Sequence, residues 1–272
     1  MKDKYPNHTY RTIILAVSLL LLLAGCSYPH LYYSPNMYTV PLFKEPSEFS
    51  GVVAGSFGAV NPSFELQTAF SLPAHIGLGF NFMTGGTDNS SEDYDDLSKY
   101  HYFEGFGGYY TCFKKIGIFE LYAGYGEGSE HHTFAYKEYD GWFSWTWTED
   151  GTADMNFSRI FIQPNIGLRI KAIEGAFSFR LSRLNFKEIN YANTVYRLTE
   201  LQNLESEPAS WLLEPGFTFR GGPDPVKFQV QAVLSANPSN PDLSFENFRF
   251  NIGMNIKFGM KKKVNPEAAK NP

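Results

Sequence analysis

Glu130, His131 and His132 stand together in "GEGSEHHTF", a carboxylate beside two imidazoles that could trade a proton near neutral pH. On a strand, neighbouring side chains point to opposite faces, so only one of the two histidines can share a face with Glu130. No serine and further acid stand at a spacing that completes a nucleophilic set, and two surface histidines are the simpler reading. The run "DNSSEDYDDLSKY" (88–100) brings Glu92, Asp93, Asp95 and Asp96 close in sequence. Their oxygens suit a divalent cation, but the run lacks the glycine and spacing of a calcium loop. A solvated loop is expected there, with no metal and no cofactor. Trp142, Trp145 and Trp147 lie within "HHTFAYKEYDGWFSWTWTEDGTADM" (131–155). Their flat rings could stack on a sugar or bury themselves in a partner's surface, or sit as an interfacial girdle. Asp150-Gly151, between alternating segments, reads as a hairpin turn that carries two strands beyond the membrane.

The start of the chain has different chemistry. Lys2, Lys4 and Arg11 precede the apolar run "IILAVSLLLLLA" (13–24), which is short for a membrane-spanning helix and right for an export signal. The run ends in Leu23-Ala24-Gly25-Cys26, which resembles the lipobox of bacterial lipoproteins. That resemblance implies a signal peptide over 1–25 and a mature chain whose first residue, Cys26, is acylated. The only other cysteine is Cys112, so an acylated Cys26 leaves no intramolecular disulfide to form. Residues 26–48, with four prolines and several tyrosines, read as a lipid-anchored tether, partly extended. Residues 49–259 read as one domain and 260–272 as a polar tail. The net charge of −5 and the lack of a basic stripe argue against a nucleic-acid partner.

From Phe49 to Gly259 the residues alternate with a period of two, the mark of strands with unlike faces. In "FRFNIGMNIKF" Phe248, Phe250, Ile252, Met254, Ile256 and Phe258 share one face, opposite Arg249, Asn251, Gly253, Asn255 and Lys257. "RIFIQPNIGLRI" (159–170) alternates as cleanly, with Pro164 marking a bulge or a weakened pairing because proline cannot donate to a ladder. Ten such strands are expected. Short turns fall near 73–75, 114–116, 171–175 and 221–225. Longer connections fall near 85–100, 131–155, 188–209 and 237–243. Almost no stretch shows helical spacing.

Alternation does not say which face looks outward. The polar face carries Gly77, Gly79, Gly124, Gly126, Gly167, Gly216 and Gly253, as a crowded lumen would. It also carries both signs of charge: Glu65, Glu104, Glu120 and Glu214 can neutralise Arg159, Arg169, Arg180, Arg220, Lys227, Arg249 and Lys257. Buried charge is tolerable when paired. The apolar faces match the tilted length that a bilayer core needs, and Tyr109, Tyr110, Trp211 and Phe258 fall near strand ends as girdle residues would.

On these features residues 49–259 resemble a small outer-membrane β-barrel of the porin-like type, and "FRFNIGMNIKF" resembles the terminal strand that barrel-assembly machinery recognises. The resemblance implies an all-β, up-and-down antiparallel transmembrane barrel of about ten strands, in the outer membrane of a Gram-negative bacterium. An even strand count returns both barrel ends to the periplasmic side, where a lipid anchor at Cys26 would also lie. The expected role is structural or in surface binding through the loops, to a glycan or a surface protein, without a large open pore. The alternatives are a soluble lipid-anchored barrel that binds a small apolar ligand, and an outer-membrane enzyme, a protease or a lipid-A-modifying one, built around Glu130, His131 and His132.

Overall fold

The computed structural model describes residues 31–58, 62–90, 94–139, 145–194, 197–240 and 243–259. Cys26, Glu92, Asp93, Trp142, the signal segment 1–25, the rest of the tether up to 30 and the tail 260–272 lie outside them. Ten strands form one closed antiparallel barrel: β1 (Glu48–Gly58), β2 (Ser63–Leu72), β3 (Ile76–Ser90), β4 (Tyr94–Phe113), β5 (Gly117–Tyr139), β6 (Trp145–Ile170), β7 (Ile173–Ala192), β8 (Ala209–Gly221), β9 (Val226–Leu234) and β10 (Phe248–Gly259). Each strand pairs with the next. β1 closes the ring against β10, from Glu48 opposite Gly259 to Gly58 opposite Arg249. Closure leaves no edge strand in the span that all ten strands share.

The polarity is inverted relative to a water-borne barrel. Ile252 and Met254 are 40% and 59% exposed, whereas Arg249 and Lys257 on the same strand are 1% and 4% exposed. The same holds around the ring, with Phe64, Leu78, Phe119, Ile162, Phe177, Phe217 and Phe228 all outward. A continuous apolar outer belt is unfavourable in water and favourable in hydrocarbon. The soluble alternative needs those side chains inside, and they are not.

Strand lengths divide the barrel into two walls. β1, β2 and β9 have 11, 10 and 9 residues, while β5 and β6 have 23 and 26. Much of what reads as long loops over 85–100 and 131–155 is therefore paired strand. β3 and β4 stay in register to Ser90 opposite Asp95, and β5 and β6 to Tyr139 opposite Trp145. Asp150-Gly151 does not turn the chain. It sits inside β6, where the β5 register shifts between Phe134 and Ala135 and Gly151 takes a φ of 147°. One extra residue on one strand makes a bulge, and glycine supplies the left-handed backbone it needs. Pro164 behaves as expected: it keeps its place opposite Leu121, but the β7 ladder passes from Ile162–Leu181 to Asn165–Ser178 without it.

Within 188–209 a helix, α1 (Leu198–Ser206), follows β7 and buries Leu201 and Leu204. Its apolar residues are few, so its period is weak in sequence, and packing against the barrel mouth stabilises it instead. Tyr32, Tyr33, Phe157, Phe186, Leu212 and Leu243 belong to the same apolar cluster.

The largest departure concerns the segment read as a tether. Every residue from Leu31 to Phe43 is buried, because this stretch runs through the lumen. Glu48, placed in the tether by sequence, opens β1 and is itself buried. The lumen of a ten-strand barrel is wider than its own side chains fill, and the proline- and tyrosine-rich segment occupies the remainder.

A cation on the outer belt has no partner in lipid. Met254→Arg, near the middle of β10, is expected to lower unfolding stability in lipid vesicles by about 2–4 kcal/mol. Denaturant titration of the vesicle-inserted protein reads this directly.

Candidate functional site

The site is the filled lumen. A buried extended segment cannot use a sheet ladder, yet each of its N–H and C=O groups needs a partner. Here inward side chains of the barrel supply several of them. The Met37 N–H donates to both Glu65 oxygens at 3.2 Å, and the Met37 carbonyl accepts from Asn81 Nδ2 at 3.1 Å. Gln231 brackets Tyr38, accepting from its N–H at 3.0 Å and donating to its carbonyl at 3.1 Å. Gln163 donates to the Thr39 carbonyl at 3.1 Å, and the Phe43 N–H donates to Glu120 at 3.0 Å. The partners come from β2, β3, β5, β6 and β9, so the grip is distributed around the ring.

Asn36 sits at the electrostatic centre. Its Nδ2 donates to Glu104 at 2.8 Å, its Oδ1 accepts from Arg159 and from Arg180 at 3.2 Å, and its carbonyl accepts from Arg180 at 2.8 Å. Arg159 contacts Glu104 at 2.6 Å, and Arg180 holds Glu214 through two nitrogens at 2.8 and 3.1 Å. Tyr33 accepts from Arg159 at 2.6 Å, and Tyr38 lies under the Arg180 guanidinium at 4.6 Å while donating to the Glu214 carbonyl. Both arginines and Glu214 are fully buried. Their fork geometry lets each guanidinium bond a carboxylate and the segment at once.

A second cluster closes the short-turn end around Glu174. Lys257 contacts it at 2.9 Å, Lys227 at 2.9 Å, Arg220 at 3.2 Å and Arg169 at 3.3 Å. Arg169 also binds Glu48 at 2.8 Å. At the opposite end Arg249 meets Glu246 and the Ser63 hydroxyl, each at 2.5 Å.

The sequence-derived charge set thus divides. Glu104 and Glu214 pair with Arg159 and Arg180, whereas Glu65 accepts from the Met37 N–H, Ser56 and Gln67, and Glu120 from the Phe43 N–H and Asn165. Arg169, Arg220, Lys227 and Lys257 converge on Glu174, which falls in the expected turn 171–175 and is not in that set. Alternation carried through from Ala176 and Ser178 would have put Glu174 on the inner face. Glycines at two inward positions make room for the segment: a Cβ at Gly216 would lie 2.4 Å from the Tyr38 ring, and one at Gly167 would lie 2.6 Å from Leu42. Tyr110, expected in a girdle, instead points inward against Phe43, with ring centroids 5.5 Å apart; Tyr109 and Trp211 are exposed.

His131 and His132 face opposite ways. His131 is on the outside, 2.7 Å from Asp154, and His132 is inside, 3.2 Å from Glu130 with its ring against Tyr32. The segment therefore covers the inward pair. Trp145 and Trp147 lie on β6 opposite Tyr139 and Lys137. No group of metal-binding side chains occurs among the described residues.

Fold and polarity together define an outer-membrane-type β-barrel. No protein-family model matches the sequence, and no curated protein matches it. Among solved structures, the outer membrane protease OmpT from Escherichia coli aligns with a TM-score of 0.44 at 9% identity, over 78% of this chain and 96% of that one. The translocator domain of autotransporter NalP from Neisseria meningitidis aligns with a TM-score of 0.46 at 7% identity, over 92% and 96%. LpxR from Salmonella typhimurium aligns with a TM-score of 0.37 at 7% identity, over 77% and 99%.

Removing one member of a buried ion pair strands the other. Arg180→Met is expected to cost about 3–5 kcal/mol, and adding Glu214→Met to the same chain should restore a large part of it. Guanidinium unfolding of the two variants in detergent micelles measures the difference.

Proposed function

We propose that this chain is an outer-membrane lipoprotein whose barrel is sealed by its own N-terminal segment, with a structural and surface-binding role. One observation carries the reading: residues 31–43 are buried throughout the lumen and held by side chains from all around the ring. A solute path along the axis would have to displace those bonds, each of which leaves a buried polar group without a partner at about 1–3 kcal/mol. The exposed apolar belt supports a membrane location, and the lipobox-like Leu23-Ala24-Gly25-Cys26 supports acylation at Cys26.

The binding surface in this reading is the projecting wall of β4 to β7. Above Tyr125 the outward residues of β5 change from Phe119 and Leu121 to Glu127, Ser129 and His131, so the upper wall stands in water or among headgroups. Trp145 and Trp147 lie near the tip of its tallest hairpin, where aromatic side chains are effective anchors for a glycan or a protein surface.

In planar bilayers the intact protein is expected to give no large conductance steps, and a chain with 31–43 replaced by a glycine-serine linker is expected to conduct. A wide steady pore in the intact protein would remove the sealed-barrel reading. For the surface role, Trp145→Ala with Trp147→Ala should weaken binding of expressing cells to glycan or matrix-protein arrays by about tenfold or more. Unchanged profiles on every array would remove the tryptophan assignment.

A further inference from the structure

The segment inside the barrel has a direction. Phe43 bonds Glu120, near the short-turn end of β5, whereas Tyr32 packs its ring on His132 of the same strand. Glu120 and His132 are twelve residues apart. At about 3.3 Å per residue and a tilt near 40°, that is roughly 40 Å along the strand and roughly 30 Å along the barrel axis. The hydrocarbon core is also about 30 Å thick. Residues 32–43 therefore run past the whole apolar belt of β5, from the level of Glu120 to above Tyr125, against the direction in which β1 then returns.

The first described residues emerge at the long-strand end. The Tyr32 N–H donates to the Ser244 carbonyl at 3.0 Å, the Glu246 N–H donates to the Tyr33 carbonyl at 3.0 Å, and the Tyr32 hydroxyl donates to Glu200 of α1 at 2.8 Å. All three partners belong to connections on the side opposite the turns at 73–75, 114–116 and 222–225. In outer-membrane barrels the short turns face the periplasm, which puts Tyr32 on the outer side.

Cys26 is five residues before Leu31. Five residues reach at most about 18 Å, which is too short to recross the membrane. The way back through the lumen is filled as well: Tyr38 and Leu42 already occupy the spaces left by Gly216 and Gly167. The rim is nearer. Next to the exit, β9 stops at Leu234, β10 begins at Phe248 and β1 stops at Gly58, so the wall is low there. A ten-strand barrel has a radius of roughly 10 Å, within that reach.

We propose that the acyl chains on Cys26 insert in the outer leaflet of the outer membrane, so that the barrel is threaded by its own anchor and the lipid sits at the cell surface. This rests on the lipoprotein reading above. It replaces the expectation that anchor and barrel share the periplasmic side.

The test uses the full-length protein in intact Gram-negative cells and a membrane-impermeant maleimide, in a Cys112→Ser background. An acylated Cys26 carries a thioether and does not react. Single cysteines are placed at Pro29→Cys, at Gln202→Cys on α1 and at Lys171→Cys in a short turn. His30→Cys serves as a second probe beside Pro29→Cys, and heat-dependent gel mobility selects folded variants. Pro29→Cys and His30→Cys are expected to label on intact cells as fully as Gln202→Cys, and Lys171→Cys only after permeabilisation. If the two upstream probes label only after permeabilisation, together with Lys171→Cys, the threaded anchor is wrong. Intact-mass measurement of the same preparations separates the two failures. A diacylglyceryl mass on Cys26 with labelling confined to permeabilised cells overturns this inference alone, whereas an unmodified Cys26 overturns the lipoprotein reading on which it rests.

Discussion

An extended strand of protein inside a closed barrel has no neighbour to form a ladder with, and its backbone must still be satisfied. That requirement organises the molecule. Glu65, Asn81, Glu120, Gln163 and Gln231 act as detached pieces of a sheet edge, each presenting an acceptor or donor where the threaded segment needs one. Arg159 and Arg180 combine that task with charge pairing at Asn36. The lumen is better described as a binding site for residues 31–43 than as a set of salt bridges that happen to be inside.

This also explains how so many buried charges coexist. Glu174 gathers four cations and Glu48 takes a further contact from Arg169. Glu104 and Glu214 are shared by Arg159 and Arg180. Each charge is multiply bonded, the condition under which burial is tolerated. The outer surface is simpler, since hydrocarbon asks only for apolar side chains and a ladder without edges.

The barrel was legible because its signal is periodic. Ile252 and Met254 alternate with Arg249 and Lys257 over a whole strand, and lipid enforces the pattern at each step. The tall wall was harder to see: from Glu127 to Lys137 both faces of β5 are polar in places, so pairing continues where the contrast between faces has gone. The threaded segment was invisible for a related reason. Its tyrosines and prolines face the lumen on all sides, which leaves no periodicity, and some of its partners lie more than two hundred residues away. Asn36 is an unremarkable residue in "YYSPNMY" until Arg159, Arg180 and Glu104 surround it. Glu174 was hidden by its closeness to a turn, where two residues of alternation are too few to assign a face.

The unequal strand lengths give the molecule a front and a back. On the β5–β6 side a tall polar wall carries the Lys187–Glu127 and His131–Asp154 pairs on its outer surface. On the β9–β10–β1 side the parapet is low and bilayer comes close to the opening. The molecule is therefore asymmetric about the membrane normal above a belt that is apolar all round.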